Sequence, residues 1–237
     1  MGIVKIIDLK KDYKDCEALK GVSLTIDSGQ LYGLLGVNGA GKTTLIKILT
    51  GLTKKTSGEA YVCGYSLNEM DKIKKVVDLS PQETAVALNL TVKENLKFFY
   101  DLYEVNDQVY FDNLVKVFDL EEVLNKKAKN LSGGWARRLS IAVGMISKPK
   151  VLFLDEPTLG LDVIARRELW KVIKSLKGKT TIVLTSHYLE EIEALCDKVT
   201  IMSKGEILET GTIEEIKAKT NETSFEEAFV KIVGGEL

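Results

Sequence analysis

The sequence predicts an α/β fold: a parallel-sheet core with an antiparallel β subdomain beside it and an inserted α-helical subdomain. Three observations carry this. The apolar runs Tyr32–Leu35, Val151–Leu154 and Thr181–Leu184 are short, unbroken and bounded by turn signals, as strands buried on both faces of a parallel sheet are. The first run passes through a glycine-rich loop directly into a helical pattern. The chain between two such α/β portions, roughly residues 84–150, changes to a helical period.

The loop after the first run is Gly36-Val37-Asn38-Gly39-Ala40-Gly41-Lys42-Thr43, which fits Gly, four residues, Gly-Lys-Thr with a strand before and a helix after. Glycines allow a tight turn and bring backbone N–H groups against phosphate oxygens without an intervening side chain. Those N–H groups form an anion nest at a helix N-terminus, where the macrodipole adds partial positive charge. Lys42 is then expected to reach the β- and γ-phosphates of a nucleotide and the Thr43 hydroxyl to bind Mg²⁺, with Thr44 beside them. The helix continues through Leu45, Ile46, Ile48 and Leu49 and stops at Gly51.

Ahead of the loop, Val4–Leu9 reads as a strand and Lys10–Lys20 as a polar stretch whose only aromatic is Tyr13. Val22–Ile26 alternates as a half-buried strand, closed by the turn Asp27-Ser28-Gly29. Tyr13 either stacks on the base of a bound adenine nucleotide or packs on its own sheet. After the loop, the turn Lys54–Gly58 precedes a strand pair around Glu59–Val62. Ile73–Leu79 reads as a strand ending in Ser80-Pro81-Gln82-Glu83, which makes Gln82 a candidate contact for Mg²⁺ or for an attacking water.

Thr91-Val-Lys-Glu94 is a capping box, and Val92, Leu96, Phe99 and Leu102 share one helical face. Tyr110–Phe118 and the shorter Glu121–Leu124 follow in the same style. The helical block closes with Leu131-Ser132-Gly133-Gly134-Trp135 ahead of a helix over Ala136–Ser147. Ser132, Gly133 and Gly134 offer a second anion nest, which implies two ligands or one ligand shared between subunits.

Val151–Leu154 delivers Asp155 and Glu156 at its C-terminal end, the edge where open α/β sheets bind ligands. Asp155 fits the role of holding Mg²⁺ through its shell and Glu156 that of polarising the attacking water. Pro157–Asp162 is a loop, and Ile164–Leu176 a helix stopped by Gly178. Thr181–Leu184 ends in Thr185-Ser186-His187, so the chain's single histidine stands at a strand end like Glu156, on the edge expected to meet the γ-phosphate. Tyr188–Leu195 reads as a helix, Lys198–Met202 as the last strand, Gly205–Glu209 as a hairpin return, and Thr212–Lys219 and Ser224–Val233 as short amphipathic helices. Gly234–Leu237 is expected to fray.

Composition bounds the function. The 237 residues are 45% hydrophobic and 28% charged, as in soluble globular proteins. A formal net charge of −1 gives no electrostatic case for nucleic acid as a partner. No apolar run is long enough to span a bilayer, and early charges interrupt any signal-peptide core. The three cysteines, Cys16, Cys63 and Cys196, are odd in number and widely spaced, which favours reduced thiols and a cytoplasmic setting.

GVNGAGKTT, PQE, LSGGWARR, VLFLDEP, LGLD and TSH occur in this order across nearly the whole chain. Together they resemble the ATP-binding-cassette (ABC) ATPases, the nucleotide-binding subunits of ABC transporters. The resemblance implies a P-loop NTPase (RecA-like) core formed by 1–83 and 151–220, a helical subdomain over 84–150 carrying the signature motif, and a C-terminal helical tail over 221–237. It implies ATP and Mg²⁺ as cofactors and a sandwich of two such chains, a homodimer, around two nucleotides. Each ATP would lie between one chain's phosphate loop and the other's Leu131–Trp135. Under it Tyr13 stacks on adenine, Gln82 senses Mg²⁺ and the membrane partner, Asp162 belongs to a loop that crosses the dimer interface, and His187 holds the γ-phosphate. YGLLGVNGAGKTTLIKILTGL, LTVKENLKFFYDLY, RRLSIA and FLDEPTLGLD resemble the cassettes paired with ABC-2-type export permeases. That pairing implies a chain peripheral on the inner face of the cell membrane. The alternatives are a soluble ABC ATPase acting on ribosomes or DNA, which usually carries two cassettes or a long coiled coil, and an import cassette. One departure stands out: the signature usually ends in Gln, and here it ends in Trp135, read as packing beside the signature helix.

Overall fold

The computed structural model describes residues 2–234, so the expected fraying of 235–237 lies outside the described residues, and Gly234 closes the last helix. Strands β1 (Gly2–Tyr13) and β2 (Cys16–Asp27) form a long antiparallel hairpin, paired from Gly2↔Asp27 out to Tyr13↔Cys16. Both are longer than the sequence predicts. In their outer halves the ladder satisfies the backbone while most side chains face water, so the apolar alternation fades before the strand ends.

Strand β3 (Leu31–Leu35) leads into helix α1 (Lys42–Leu49), followed by strands β4 (Ser57–Val62) and β5 (Tyr65–Ser66). Helix α2 (Met70–Ile73) and strand β6 (Val77–Ser80) occupy the segment predicted as one strand from Ile73. A capping box at Ser66 and Glu69 starts helical winding there, so Ile73 and Val77 reach the same core from a helix end and a strand start. Helices α3 (Val92–Leu102) and α4 (Gln108–Val117) match expectation, whereas Glu121–Val123 is a single 3-10 turn instead of a helix. Helix α5 (Gly133–Met145) takes Gly133 and Gly134 into its first turn. Next come strand β7 (Val151–Asp155), helix α6 (Val163–Ser175), strand β8 (Thr181–Ser186), helix α7 (Leu189–Leu195), strands β9 (Lys198–Ser203) and β10 (Glu206–Gly211), and helices α8 (Ile213–Thr220) and α9 (Phe225–Gly234).

The main sheet has six strands in the order β10-β9-β3-β8-β7-β6 and is parallel except for β10. A second, four-stranded antiparallel sheet has the order β2-β1-β4-β5. The main sheet is covered on both faces, which is why its strands read as unbroken apolar runs. Val151 and Phe153 point to one face, packing with α1 and the antiparallel sheet; Leu152 and Leu154 point to the other, packing with α3–α9. All four are fully buried, and each contributes roughly 1.5–3 kcal/mol of transfer free energy. The core of α3, α4 and α5 (Val92, Leu96, Leu114, Phe118, Leu139) is continuous with that second face. The parallel strands β3, β8, β7 and β6 therefore present their C-terminal ends side by side on one edge. Among the described residues, no helix is long and apolar enough to cross a membrane.

Candidate functional site

The loop after β3 turns through left-handed backbone into α1. Gly41, at φ 101°, is the N-cap of the helix, and a Cβ there would lie 2.6 Å from the Ala18 carbonyl oxygen. A Cβ on Gly36 would meet the Met202 carbonyl at 2.3 Å. Both positions require glycine, one for conformation and contact and the other for contact alone. The first-turn N–H groups of α1 are left facing the cleft.

Lys42, the first residue of α1, is 5% exposed. Its Nζ donates to the Gly36 carbonyl at 2.6 Å and the Val37 carbonyl at 3.4 Å, and lies 3.6 Å from Glu156 Oε1. Burial pulls the ammonium below its ordinary pKa, and the charges of Glu156 and Asp155 oppose that pull. The other carboxylate oxygen of Glu156 lies 2.7 Å from Nδ1 of His187. Glu156 is thus held between the phosphate-loop lysine and the histidine that follows β8. Its backbone is left-handed, at φ 48°, a conformation that costs a non-glycine residue about 1–2 kcal/mol.

Asp155 and Thr185 complete the set. Thr185 Oγ1 donates to Asp155 Oδ1 at 2.6 Å and accepts the Glu156 N–H at 2.8 Å. Thr43 Oγ1 donates to the same Asp155 oxygen at 3.0 Å. A cleft of about 420 Å³ is lined by Asn38 to Thr44, Gln82, Glu156 and His187, together with Cys16, Ala18 and Leu159. No group of three or more His, Cys, Asp and Glu side chains among the described residues is placed to hold a metal. A hydroxyl and a carboxylate with few other protein oxygens suit Mg²⁺, which keeps several waters and completes its shell with substrate phosphates.

The remaining predicted residues lie outside this lining. Tyr13 sits at the hairpin end, 47% exposed, with the Lys11 ammonium 4.6 Å from its ring centroid; its cross-strand neighbour Cys16 lines the cleft instead. Ser132 is the N-cap of α5, yet its hydroxyl makes no capping hydrogen bond, and it is exposed with Gly133. Asp162 caps α6, its Oδ1 accepting the Ile164 and Ala165 N–H groups at 2.9 Å each. Trp135 packs against the helical core, and the Arg138 guanidinium lies 4.9 Å from its ring centroid, as the packing reading expects.

Three residues that the sequence reading gave no role gather behind the site. Thr185 was visible only as the residue two before His187. Arg137 is buried and bonds to backbone carbonyls on both sides of the cleft floor. Glu191, fully buried, accepts Trp170 Nε1–H at 3.2 Å, and burial pushes its carboxyl above the usual range. The doubled arginine after the second glycine pair was the one available signal for Arg137.

The family model described as ABC transporter matches residues 19–159. Over 224 residues the chain is 40% identical to the human phospholipid-transporting ATPase ABCA3, covering 91% of this chain and 13% of that protein. Over 216 residues it is 38% identical to the daunorubicin resistance ATP-binding protein DrrA3 of Streptomyces coeruleorubidus, covering 89% of this chain and 68% of that one. Against the first of these relatives, therefore, the chain corresponds to only a small part of the whole. A dimeric ATP-binding cassette solved in a post-hydrolysis state, bound to ADP and Pi, superposes with a TM-score of 0.79 at 25% identity, covering 88% of this chain and 98% of that one.

Proposed function

The chain belongs to the ABC transporter family, as one of its ATPase cassettes, and from that premise we propose that two copies close around two MgATP and drive an ABC-2-type permease in export. The observation that carries the chemistry is Glu156, clasped by Lys42 and His187 at the ends of three strands beside the phosphate loop. On binding, phosphate oxygens replace Glu156 and the Gly36 carbonyl as partners of Lys42, which frees the carboxylate. Glu156 then orients a water and takes its proton as that oxygen attacks the γ-phosphorus. The bond from the γ-phosphorus to the β–γ bridging oxygen breaks, and the electron pair leaves with ADP. His187 holds a γ-phosphate oxygen while its Nδ1 faces Glu156. Lys42 and the loop N–H groups, at Asn38 to Thr44, neutralise the charge that grows on the phosphates. Thr43 and Asp155, with Gln82 across the cleft, would hold Mg²⁺, which would screen the negative charge of the phosphates.

The exposed, unbonded Ser132 hydroxyl and the Gly133 and Gly134 amides lie outside their own chain's cleft. That placement supports their use on the nucleotide of a second copy, with Asp162 on the loop between the two and Tyr13 stacked on adenine. The relatives support the direction and the setting. One carries drug resistance in its name and the other phospholipid transport, which fits an outward pump whose cassette lies at the inner membrane face. We take the core as 1–83 with 151–220, the helical subdomain as 84–150 and the tail as 221–237.

The test is Glu156→Gln. The variant is expected to bind MgATP, to accumulate as a dimer, and to turn over ~10²–10⁴-fold more slowly than the parent. Used as bait in solubilised membranes, it should retain a polytopic membrane protein. Hydrolysis at the parent rate would remove Glu156 from the mechanism, and recovery of ribosomes or DNA in place of a membrane protein would remove the transporter reading.

A further inference from the structure

Arg137 lies one turn into α5, on the helical face that follows Gly133 and Gly134, and is 5% exposed. Its Nε donates to the Pro157 carbonyl at 2.7 Å. One terminal nitrogen donates to the carbonyls of Pro81 and, at 3.2 Å, Gln82; the other donates to those of Asp155 at 2.8 Å and Glu156 at 2.9 Å. These bonds use every N–H that a guanidinium has. None of the acceptors is a carboxylate, so this is no ion pair. It is a fork that ties three consecutive carbonyls at the end of β7 to two in the loop after β6. Burial lowers the guanidinium pKa to about 10, and the side chain stays charged at neutral pH.

The grip bears on the strained residue of the site. Glu156 holds a left-handed backbone, and such a conformation persists only where the surroundings over-determine it. Thr185 fixes its N–H and Arg137 fixes its C=O. The same arginine holds the backbone of Gln82, and it rides on the helix whose first turn carries Ser132, Gly133 and Gly134.

We propose that Arg137 is the positioning residue that locks Glu156 and the Gln82 loop to the N-terminus of α5. A shift of that helix end then moves the water-polarising carboxylate and the Gln82 side of the cleft as one body. The inference rests on the ATPase reading and adds a route between the two nucleotide sites of a pair: the turn that meets one nucleotide is bolted, through Arg137, to the base that acts on the other.

Two variants separate this from a structural role. Arg137→Lys keeps a charge but has three donors on one atom, so it cannot span five carbonyls. Arg137→Gln removes the charge as well. In the full-length purified chain, kcat, KM, the Hill coefficient for ATP, Kd for MgATP and Tm are measured on the same preparations. The expected result for Arg137→Lys is a kcat down about 100-fold, the loss that goes with a misplaced catalytic group, with Kd for MgATP within about twofold of the parent. The Hill coefficient should fall to about 1, and Arg137→Gln should be slower still. Should Arg137→Gln fail to fold, Arg137→Lys decides alone. A kcat for Arg137→Lys within about threefold of the parent, whatever its Tm, would overturn the proposal, as would a loss carried wholly by nucleotide affinity. A parent chain with no turnover would instead sink the ATPase reading on which the proposal stands.

Discussion

Thr185→Val is the sharpest probe of how the site is held. The threonine is fully buried, and valine matches its shape, so the exchange leaves almost no cavity. What it removes is one acceptor and one donor. The Glu156 N–H loses its 2.8 Å partner inside the protein, at a cost of roughly 1–3 kcal/mol. Asp155 loses a 2.6 Å charge-assisted bond, typically worth about 1.5–3 kcal/mol, and here the low end applies. The Thr43 hydroxyl still donates to the same oxygen at 3.0 Å. The sum is about 2.5–4.5 kcal/mol, which lowers Tm by about 10 °C in a chain of this size. Thr185→Ser keeps both bonds and loses one methyl group, about 1 kcal/mol. Calorimetry and denaturant unfolding of the three proteins give the stabilities, and steady-state ATPase assays give a kcat expected to fall ~100-fold in the valine variant. A valine variant within about 1 kcal/mol of the parent, or a serine variant that loses as much as valine, would refute the assignment of the hydroxyl as the clamp on Glu156.

Two further predictions follow from buried and exposed groups near the cleft. The Glu191 carboxyl is raised above its ordinary 4.5, first by burial. For a raised carboxyl, the stability due to the protonated form is fully present below about 4.5 and is lost as pH rises through the folded value. Glu191→Gln should therefore match the parent in acid and gain on it steadily toward neutral pH, the Trp170 indole still donating to the amide oxygen. A gap in Tm that stays level or closes as pH rises would contradict this. Cys16 is exposed and lines the cleft, whereas burial pushes the Cys196 thiol well above its usual 9.0. Alkylation of the native chain should mark Cys16 at least ~10-fold faster than Cys196, and saturating MgATP should slow it. Equal labelling of the two, or labelling indifferent to nucleotide, would count against the cleft as the nucleotide site.

The phosphate loop could be read from the sequence because its requirements are contiguous: a strand, glycines where the backbone is left-handed or crowded, then Lys42 and Thr43 at a helix start. Asp155, Glu156 and His187 were legible for a related reason. Each ends an apolar run, and parallel strands bring such ends to one edge whatever the order of the sheet. Where periodicity failed, a local rule was overruled from outside. The outer arms of β1 and β2 are strands because each supplies the other's hydrogen bonds, so Lys10 to Tyr13 need no apolar face. Ile73 reads as strand because its burial is real, although a capping box at Ser66 has already begun a helical turn.

The supports of Glu156 stayed hidden for a deeper reason. Arg137 holds backbone carbonyls and Thr185 accepts a backbone N–H, groups common to nearly every residue, so these partners leave no trace in the sequence. Only the side chain that reaches them can signal, and a second arginine beside Arg138 looks like ordinary surface charge until folding shows the difference. Arg138, also buried, makes the partnership expected of an arginine: it reaches the Asp119 carboxylate at 2.8 Å and lies against Trp135. Arg137, one residue earlier, is turned by the helical period toward the ends of β6 and β7, where no carboxylate meets it and a buried guanidinium must find five other acceptors or lose its solvation. The ends of β6 and β7 are where that many carbonyls converge, the Glu156 carbonyl accepting the Leu159 N–H at 3.2 Å as well. The strand end that brings Asp155 and Glu156 to the cleft also turns their carbonyls toward α5, where a single polydentate donor can hold both.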